Sequence, residues 1–289
     1  MLGHIPVLLL LALPASGKSE VRKYLRSLDP ETRRKDFRLG ELVELDDYPY
    51  VEFMRKVDEV ATRIMRMDDI FYQGEDRPFK DPWEWITLIE LLNRDYNSLT
   101  TVDREYTAHG QAAMRLFDHI NAAQRRAGAS VKLRQFPPYV LEVMAGHLND
   151  AAWKILESEQ FRRSSTLDSK TVVIEFSRGG AYGATMPLSG PYGYRGSLSR
   201  LSPDILTKAS VLHVSVTPED SFRRNAARAV PPPGCADTGI YHGVPTSVMI
   251  EDYGCDDIGG QGHMMRVIRS PTAVLTVEAH GITYNLAAA

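Results

Sequence analysis

The chain has 289 residues, of which 43% are hydrophobic and 25% charged, so it can bury one large core or two modest ones. We expect one core with insertions. A formal net charge of −3 excludes a general attraction for polyanions, so nucleic-acid binding would need a local basic patch. The only two cysteines, Cys235 and Cys255, exclude a disulfide framework and favour a reducing compartment.

The strongest local signal lies between Val7 and Leu25. An apolar run that ends at Leu13 is followed by Pro-Ala-Ser-Gly-Lys-Ser, and apolar residues then recur at helical spacing. A strand, a loop and a helix in this order are typical of a phosphate site, because the loop N–H groups and the positive end of the helix both face the anion. The pattern G-x-x-x-x-G-K-[ST] has Ala12 in place of its first glycine, which is acceptable if that residue keeps a negative φ.

This loop predicts a site for the phosphates of ATP and for Mg²⁺. Gly17 lets the backbone come close, Lys18 would neutralise the β- and γ-phosphates, and the Ser19 hydroxyl would bind Mg²⁺. The residues expected to bind the nucleotide are Pro14, Ala15, Ser16, Gly17, Lys18, Ser19 and Glu20.

Residues 5 to 16 also resemble the apolar part of a secretory signal with a small-residue cleavage site. However, no lysine or arginine precedes them, only His4, and the helix that follows has no role in a signal. No other apolar run approaches the roughly 20 residues that a membrane span needs. We therefore expect a soluble, cytoplasmic protein.

A second strand is predicted from Glu41 to Leu45, with Asp46 and Asp47 at its tip. One of these acids could accept the proton of an acceptor hydroxyl. The alternative role is to cap the helix that begins before Pro49, and the two acids could take one role each. From about 51 to 160 the pattern is mostly helical. The helices are predicted at 51–67, 83–92, 107–127 and 138–157.

Further strands are predicted at 171–176, 211–216 and 273–277, with a helix that begins near Thr217. Strands separated by helices predict an α/β fold with a mainly parallel, five-stranded sheet that has helices on both faces. Two long irregular segments, 179–200 and 229–265, indicate lids or disorder. The second contains both cysteines with His242 and His263, which could form a zinc site of unusual spacing; ordinary thiols are the favoured interpretation.

Phosphoryl transfer also needs acids and positive charge near the transferred group. Glu175 ends the third predicted strand and could hold Mg²⁺ through water or act as a base, and its alternative is a solvated strand-end acid. Arg224 and Arg228 share a face of the helix after the fourth strand and could clamp phosphates, and Arg178 could do the same. The alternative for the two helix arginines is a solvated basic face.

Together these segments resemble the P-loop kinase family, which includes nucleoside, nucleotide and other small-molecule kinases. The similarity is carried by Leu11 to Ser19, Leu45 to Pro49, Val172 to Glu175 and Val211 to Arg228. It implies a three-layer P-loop NTPase fold in one domain over 1–289, with 51–160 as a helical acceptor-binding insertion and 229–265 as a lid. It also implies that Asp46 or Asp47 is the base and that Glu175 lies next to the bound Mg²⁺.

The insertion has no match in the family pattern, so the acceptor is not identified. Side chains there that could grip a ring or a phosphate are Trp83, Trp85, Arg94 and Tyr96, and their alternative is a helix core with a surface arginine. We expect an ATP- and Mg²⁺-dependent phosphotransferase that acts on a hydroxyl or phosphate of a small nucleoside- or nucleotide-like acceptor. Two alternatives are a kinase that acts on a modified base or end of a nucleic acid and a nucleotide-binding switch with slow or no hydrolysis.

Overall fold

The computed structural model describes residues 4–100, 108–163, 166–229, 243–258, 273–279 and 282–287. The chain forms two compact units. The first contains Met1–Val43, Ser169–Gly196 and Pro203–Ala289, and the second contains Glu44–Asp168 and Ser197–Ser202. Cys235, His242 and His263 lie outside the described residues, as does most of the predicted lid.

The strands form one sheet of the order β2-β3-β1-β4-β6-β5. Their bounds are β1 Val7–Leu11, β2 Glu41–Asp46, β3 Lys170–Phe176, β4 Ala209–Ser215, β5 Ala273–Ala279 and β6 Ile282–Ala287. The helices are α1 Lys18–Ser27, α2 Pro30–Asp36, α3 Tyr48–Glu59, α4 Glu84–Ser98, α5 Ala112–Ala127, α6 Pro138–Arg162, α7 Gly193–Leu198, α8 Pro203–Leu206, α9 Pro218–Arg228 and α10 Thr246–Asp252.

Strands and helices alternate around a four-stranded parallel region, which confirms the predicted α/β class. The predicted count of five strands is wrong, because the described part of the sheet has six. The extra strand is β6, which pairs antiparallel with both β4 and β5. Its sequence, ITYNLA, alternates apolar and polar residues as a half-buried strand does, so the prediction missed a short but genuine strand signal.

Strand β1 lies between β3 and β4 and is parallel to both. All five of its residues are buried, which explains its continuous Val-Leu composition, since a strand inside a parallel sheet is covered on both faces. Leu11, its last residue, pairs with Phe176 of β3 and with His213 of β4. The loop that follows therefore begins at the carboxyl edge of the sheet.

One face of the sheet packs against α1. Its buried cluster contains alternate residues of β1 together with Leu25 of α1, and its members include Leu8, Leu10, Val173, Leu212 and Val214. The amphipathic pattern of α1 predicts this contact. The strand residues between these positions, such as Leu11, Phe176 and His213, therefore point to the opposite face of the sheet. On that face the ring of Tyr194 from α7 lies 6.0 Å from the ring of Phe176.

The second unit is helical. Helix α5 packs against α4 and α6, and α3 also packs against α6. The predicted helices at 51–67, 83–92, 107–127 and 138–157 correspond to α3 with a following π-helical turn, α4, α5 and α6; residues 101–107 lie outside the described residues. Asp58 of α3 accepts hydrogen bonds from the N–H groups of Ile70, Phe71 and Tyr72 and so fixes the connection to α4.

Both segments that we expected to be irregular contain a helix within their described residues, α7 in 179–200 and α10 in 229–265. Val248 and Met249 of α10 are buried, so this part of the predicted lid has packed side chains. Among the helices of the described residues, none combines the length and the apolar character that a membrane span requires.

Candidate phosphate-binding site

The loop from Ala12 to Gly17 connects β1 directly to α1. Gly17 has φ 104°, a left-handed conformation that glycine adopts without strain, and it immediately precedes the first residue of α1. Ala15 is also left-handed, with φ 52°. Ala12 is fully buried and is not one of the residues with positive φ, so alanine is compatible with the position where the sequence pattern has its first glycine.

Lys18 is buried and its ammonium group bends back over the loop. The Nζ donates to the carbonyl oxygens of Ala12 and Leu13, both at 3.1 Å, and to Oγ of Ser177 at 2.6 Å. A buried ammonium group is costly unless hydrogen bonds compensate for its lost hydration. These three bonds hold a positive charge at the mouth of the loop.

The loop and the first turn of α1 offer hydrogen-bond donors. The N–H groups at the start of a helix have no partner inside the helix, and within the described residues no hydrogen bond engages the N–H of Ser16, Gly17 or Ser19. The Ser16 hydroxyl is buried and has no hydrogen-bond partner among the described residues. Unused donors and a positive charge around one turn form the kind of surface that an anion would occupy.

The remaining loop residues expected to bind nucleotide differ in exposure. Pro14 is buried, and its carbonyl accepts a 2.7 Å hydrogen bond from Oγ of Ser221 on α9. Ser19 is half-buried beside Lys18. Glu20 is exposed and pairs with Lys23 at 2.8 Å, so the structure places its carboxylate on the outer surface of α1.

Helix α9 reaches the loop through Arg224. Its Nη1 donates to the carbonyl of Ser16 at 3.3 Å. The predicted start of this helix is correct, because Thr217 caps it by accepting from the N–H of Asp220 at 3.1 Å. Arg228, by contrast, is exposed in the last turn of α9. The structure therefore brings one of the two predicted clamp arginines to the loop backbone.

The end of β3 supplies a mixed set of groups. Oε2 of Glu175 lies 2.9 Å from Nε of Arg22 on α1, and both side chains are mostly buried. Glu175 was predicted on the metal side, but its carboxylate is already engaged in this ion pair. Ser177 accepts from Lys18, as described above. Arg178 is 2% exposed, its Nη1 donates to the carbonyl of Ser177 at 2.6 Å, and its guanidinium lies 5.1 Å from the Phe176 ring centre.

His213 and Asp256 also belong to this region, and sequence reasoning missed both. His213 is buried on β4 opposite Leu11, and its Nε2 lies 3.8 Å from Oδ2 of Asp256. Burial lowers the pKa of His213, while the Asp256 carboxylate raises it and the Lys18 ammonium lowers it further. A lone histidine in an apolar strand gives no functional signal in the sequence, because such a residue is commonly part of a core.

The predicted acceptor-side acids belong to the second unit. Oδ1 of Asp46 accepts from the N–H of Tyr48 at 2.7 Å, so this carboxylate caps the first turn of α3. Asp47 occupies the position just before α3 and is buried, with no side-chain hydrogen bond to the helix end. The structure thus gives the capping role to Asp46.

The side chains proposed to grip an acceptor mostly serve the helical core. Trp85 and Tyr96 are buried, and Trp85 packs edge-on against Phe79; only Trp83 is exposed, at 40%. Arg94 is not a surface residue either. It donates to Asp95 at 2.8 Å and to Glu159 at 3.0 Å, and the hydroxyl of Tyr50 donates to the same two carboxylates. We refer to Tyr50, Arg94, Asp95 and Glu159 as the buried ionic network.

Within the described part of the chain, no group of three or more His, Cys, Asp and Glu side chains is arranged to hold a metal ion. Cys255 is a partly exposed thiol whose Sγ lies 3.2 Å from the carbonyl of Ala181. No family model matches this chain, and neither does any curated protein or solved structure. The functional conclusion therefore depends on the residues and their geometry.

Proposed function

We propose that this protein is an ATP- and Mg²⁺-dependent phosphotransferase of the P-loop kinase type. Its acceptor would be a hydroxyl or phosphate of a small nucleoside- or nucleotide-like molecule. The observation that carries the proposal is the buried Lys18 at the start of α1, whose ammonium group is held over a loop with unused N–H donors. A helix N-terminus, a glycine with positive φ and a lysine at one turn are the components that bind polyphosphates.

The residues present fit the phosphate part of a nucleotide. Lys18 would exchange its two carbonyl partners for phosphate oxygens, and the N–H groups of Ser16, Gly17 and Ser19 would donate to the same anion. Arg224 contacts the loop backbone at Ser16 and would add positive charge when charge develops on the transferred phosphoryl group. Arg178 and Arg228 are retained as weaker candidates for that role.

Ser19 would hold the metal ion through its hydroxyl, because this residue lies in the first turn of α1 directly after Lys18. When bound, Mg²⁺ neutralises charge on the phosphates and so assists transfer. Glu175 is a poorer candidate because it pairs with Arg22. The acceptor-side role of Asp46 or Asp47 is carried over from the sequence, and since Asp46 caps α3, we assign the proton-accepting role to Asp47.

The proposal is tested by ATP turnover with Mg²⁺ in the presence of pooled nucleosides, nucleotides, sugars and oligonucleotides, with product identified by mass. We expect a phosphorylated small molecule from the wild type and at least about a 100-fold loss with Lys18→Ala, the size of effect that removing one transition-state donor produces. Lys23→Ala is the matched control, since that exposed lysine on the same helix pairs only with Glu20 in the described contacts. ATP binding without product from any pool would instead favour the switch alternative.

A further inference from the structure

A large aromatic side chain is exposed on a well-defined turn of the first unit. Tyr182 is 68% exposed and is the second residue of this turn, which the N–H of Ala184 closes by donating to the carbonyl of Ala181 at 3.0 Å. Gly183, the third residue, has φ 74°, the left-handed value that a type II turn requires at this position. The turn therefore fixes the backbone of Tyr182 and leaves its side chain accessible.

The segment after α10 holds this turn in place. The N–H of Tyr182 donates to the carbonyl of Ile250 at 2.8 Å, and Gly180 and Cys255 exchange backbone hydrogen bonds of 2.9 and 3.2 Å. Gly254 lies so close that an added Cβ would overlap the backbone nitrogen and Cα of Tyr182. Packing that only glycine at position 254 permits therefore determines where Tyr182 lies.

Tyr182 has exposed apolar neighbours. Ile250, which accepts its N–H, is 45% exposed, and Met186, four positions later in the chain, is 39% exposed. Single apolar side chains are common on protein surfaces, but here three of them belong to two segments that are joined by backbone hydrogen bonds. A tyrosine on a fixed backbone loses little conformational entropy when a ligand covers it, so such a ring is well suited to binding.

The turn follows closely on the residue that contacts the lysine of the phosphate loop. Ser177 accepts a 2.6 Å hydrogen bond from Nζ of Lys18. Tyr182 stands five positions later, so its Cα lies within about 18 Å of that of Ser177, the limit for an extended chain. Lys18 would meet the β- and γ-phosphates, so this segment begins at the end of the nucleotide that the acceptor must approach.

We propose that Tyr182 stacks against the planar base of the acceptor. The acceptor is then a nucleoside or a nucleoside monophosphate, and a sugar without a base is a poor ligand. Stacking on an aromatic ring tolerates different bases because each base has a π-face, so both purines and pyrimidines should bind. This inference rests on the proposed function, because the phosphate loop must bind the donor nucleotide for this side of it to receive an acceptor.

The test is ligand-observed NMR titration of the full chain, saturated with Mg²⁺ and a non-hydrolysable ATP analogue. The probes are adenosine, guanosine, cytidine, uridine and their monophosphates, with ribose and ribose phosphate as probes that lack a base. We expect the probes with a base to bind the wild type and to bind Tyr182→Ala about 5- to 150-fold more weakly, the loss that removal of a stacking side chain causes. Affinity for the ATP analogue should not change.

Two further variants separate stacking from a general effect on the protein. Tyr182→Phe keeps the ring and should bind the probes as the wild type does. Tyr139→Ala is the matched control, because that tyrosine at the start of α6 has the same exposed fraction, 68%. It should also bind as the wild type does.

The outcomes separate this inference from the proposed function. Equal probe affinity in the wild type and Tyr182→Ala, an equal loss in Tyr139→Ala, or equally tight binding of probes without a base would overturn the role of Tyr182. A loss of affinity for the ATP analogue alone would assign the ring to the donor nucleotide and would also overturn it. These results leave the phosphate site intact, whereas failure of the wild type to bind the ATP analogue would contradict the proposed function.

Discussion

The ammonium group of Lys18 donates a 2.6 Å hydrogen bond to the hydroxyl of Ser177, which joins the loop after β1 to the residue that follows β3. This bond holds the lysine over the loop carbonyls. We expect Ser177→Ala to lower the free energy of unfolding by about 1.5–3 kcal/mol, the usual range for a hydrogen bond to a charged group. Nucleotide affinity should be retained, since phosphate oxygens would replace the two carbonyl partners of Lys18, and the bond to Ser177 is lost in the free and the bound state alike. Chemical denaturation and equilibrium binding measure the two effects.

Ser27→Ala is the matched control, because that exposed serine on α1 donates only to the carbonyl of Tyr24 in the described contacts. It should leave both quantities unchanged. If Ser177→Ala abolished nucleotide binding as completely as Lys18→Ala, Ser177 would belong to the binding surface itself.

The ion pair between Arg22 and Glu175 connects α1 to β3. The two side chains are 22% and 13% exposed, so the pair lies between a surface and a fully buried ion pair. We therefore expect a double-mutant cycle of Arg22→Met and Glu175→Gln to give a coupling free energy of about 1–2 kcal/mol. Urea denaturation of the four proteins measures it. The double variant should keep the Mg²⁺ dependence of turnover. Loss of that dependence in a stably folded double variant would restore Glu175 to the metal side.

Asp46 and Asp47 are separable by substitution. Because Asp46 caps α3, Asp46→Ala should cost about 1 kcal/mol of stability, and Asp46→Asn should cost little since asparagine also caps well. Phosphoryl transfer should fall much more in Asp47→Asn than in Asp46→Asn. The opposite order of activities, with both variants folded, would move the proton-accepting role to Asp46.

The buried ionic network makes stability depend on pH. Burial, and then the charge of Glu159, raise the pKa of Asp95 to about 7, whereas its ordinary value is 3.8. The folded state therefore holds a proton on Asp95 that the unfolded state has lost, and the contribution of this residue to stability falls as pH rises from about 4 to 7, by up to about 1.4 kcal/mol for each pH unit. Asp95→Asn should flatten this decline, because asparagine stays neutral and can still accept from Tyr50.

Urea denaturation across this pH range measures the effect. Asp118→Asn, at an exposed position on α5, is the control and should follow the wild type. The slope difference between the two proteins is the decisive quantity, because buried His119, with its pKa lowered to about 3, makes stability rise with pH over part of this range. An identical slope in the wild type and in Asp95→Asn would contradict the assignment.

The sequence predicted the elements whose signals are local. The strand, loop and helix around Lys18 have a continuous apolar run followed by a glycine that needs positive φ, and Thr217 with Pro218 signals the start of α9. The helices of the second unit follow from their periodicity. Strand β6 was missed, and its place between β4 and β5 depends on antiparallel pairing with both strands, which no local pattern shows.

Contacts between residues far apart in the chain could not be predicted from the sequence either. The partner of Glu175 is Arg22, 153 positions earlier in the chain, and nothing in either local pattern connects them. His213 and Asp256 lie 3.8 Å apart, and the segment that carries Asp256 is anchored by a bridge between Gly180 and Cys255 that the local sequence does not show. Arg94 was a candidate to grip an acceptor, with a surface arginine as the alternative. It pairs instead with Asp95 of α4 and with Glu159 of the distant α6.

The central claim, that the loop after β1 binds nucleotide phosphates through Lys18, is tested most directly by equilibrium binding of ATP in the presence of Mg²⁺. We would compare the wild type with Lys18→Ala and Lys23→Ala. The account predicts saturable binding that is lost in Lys18→Ala and unchanged in Lys23→Ala, with both variants folded. Equal binding by wild type and Lys18→Ala, or no binding by the wild type, would contradict it.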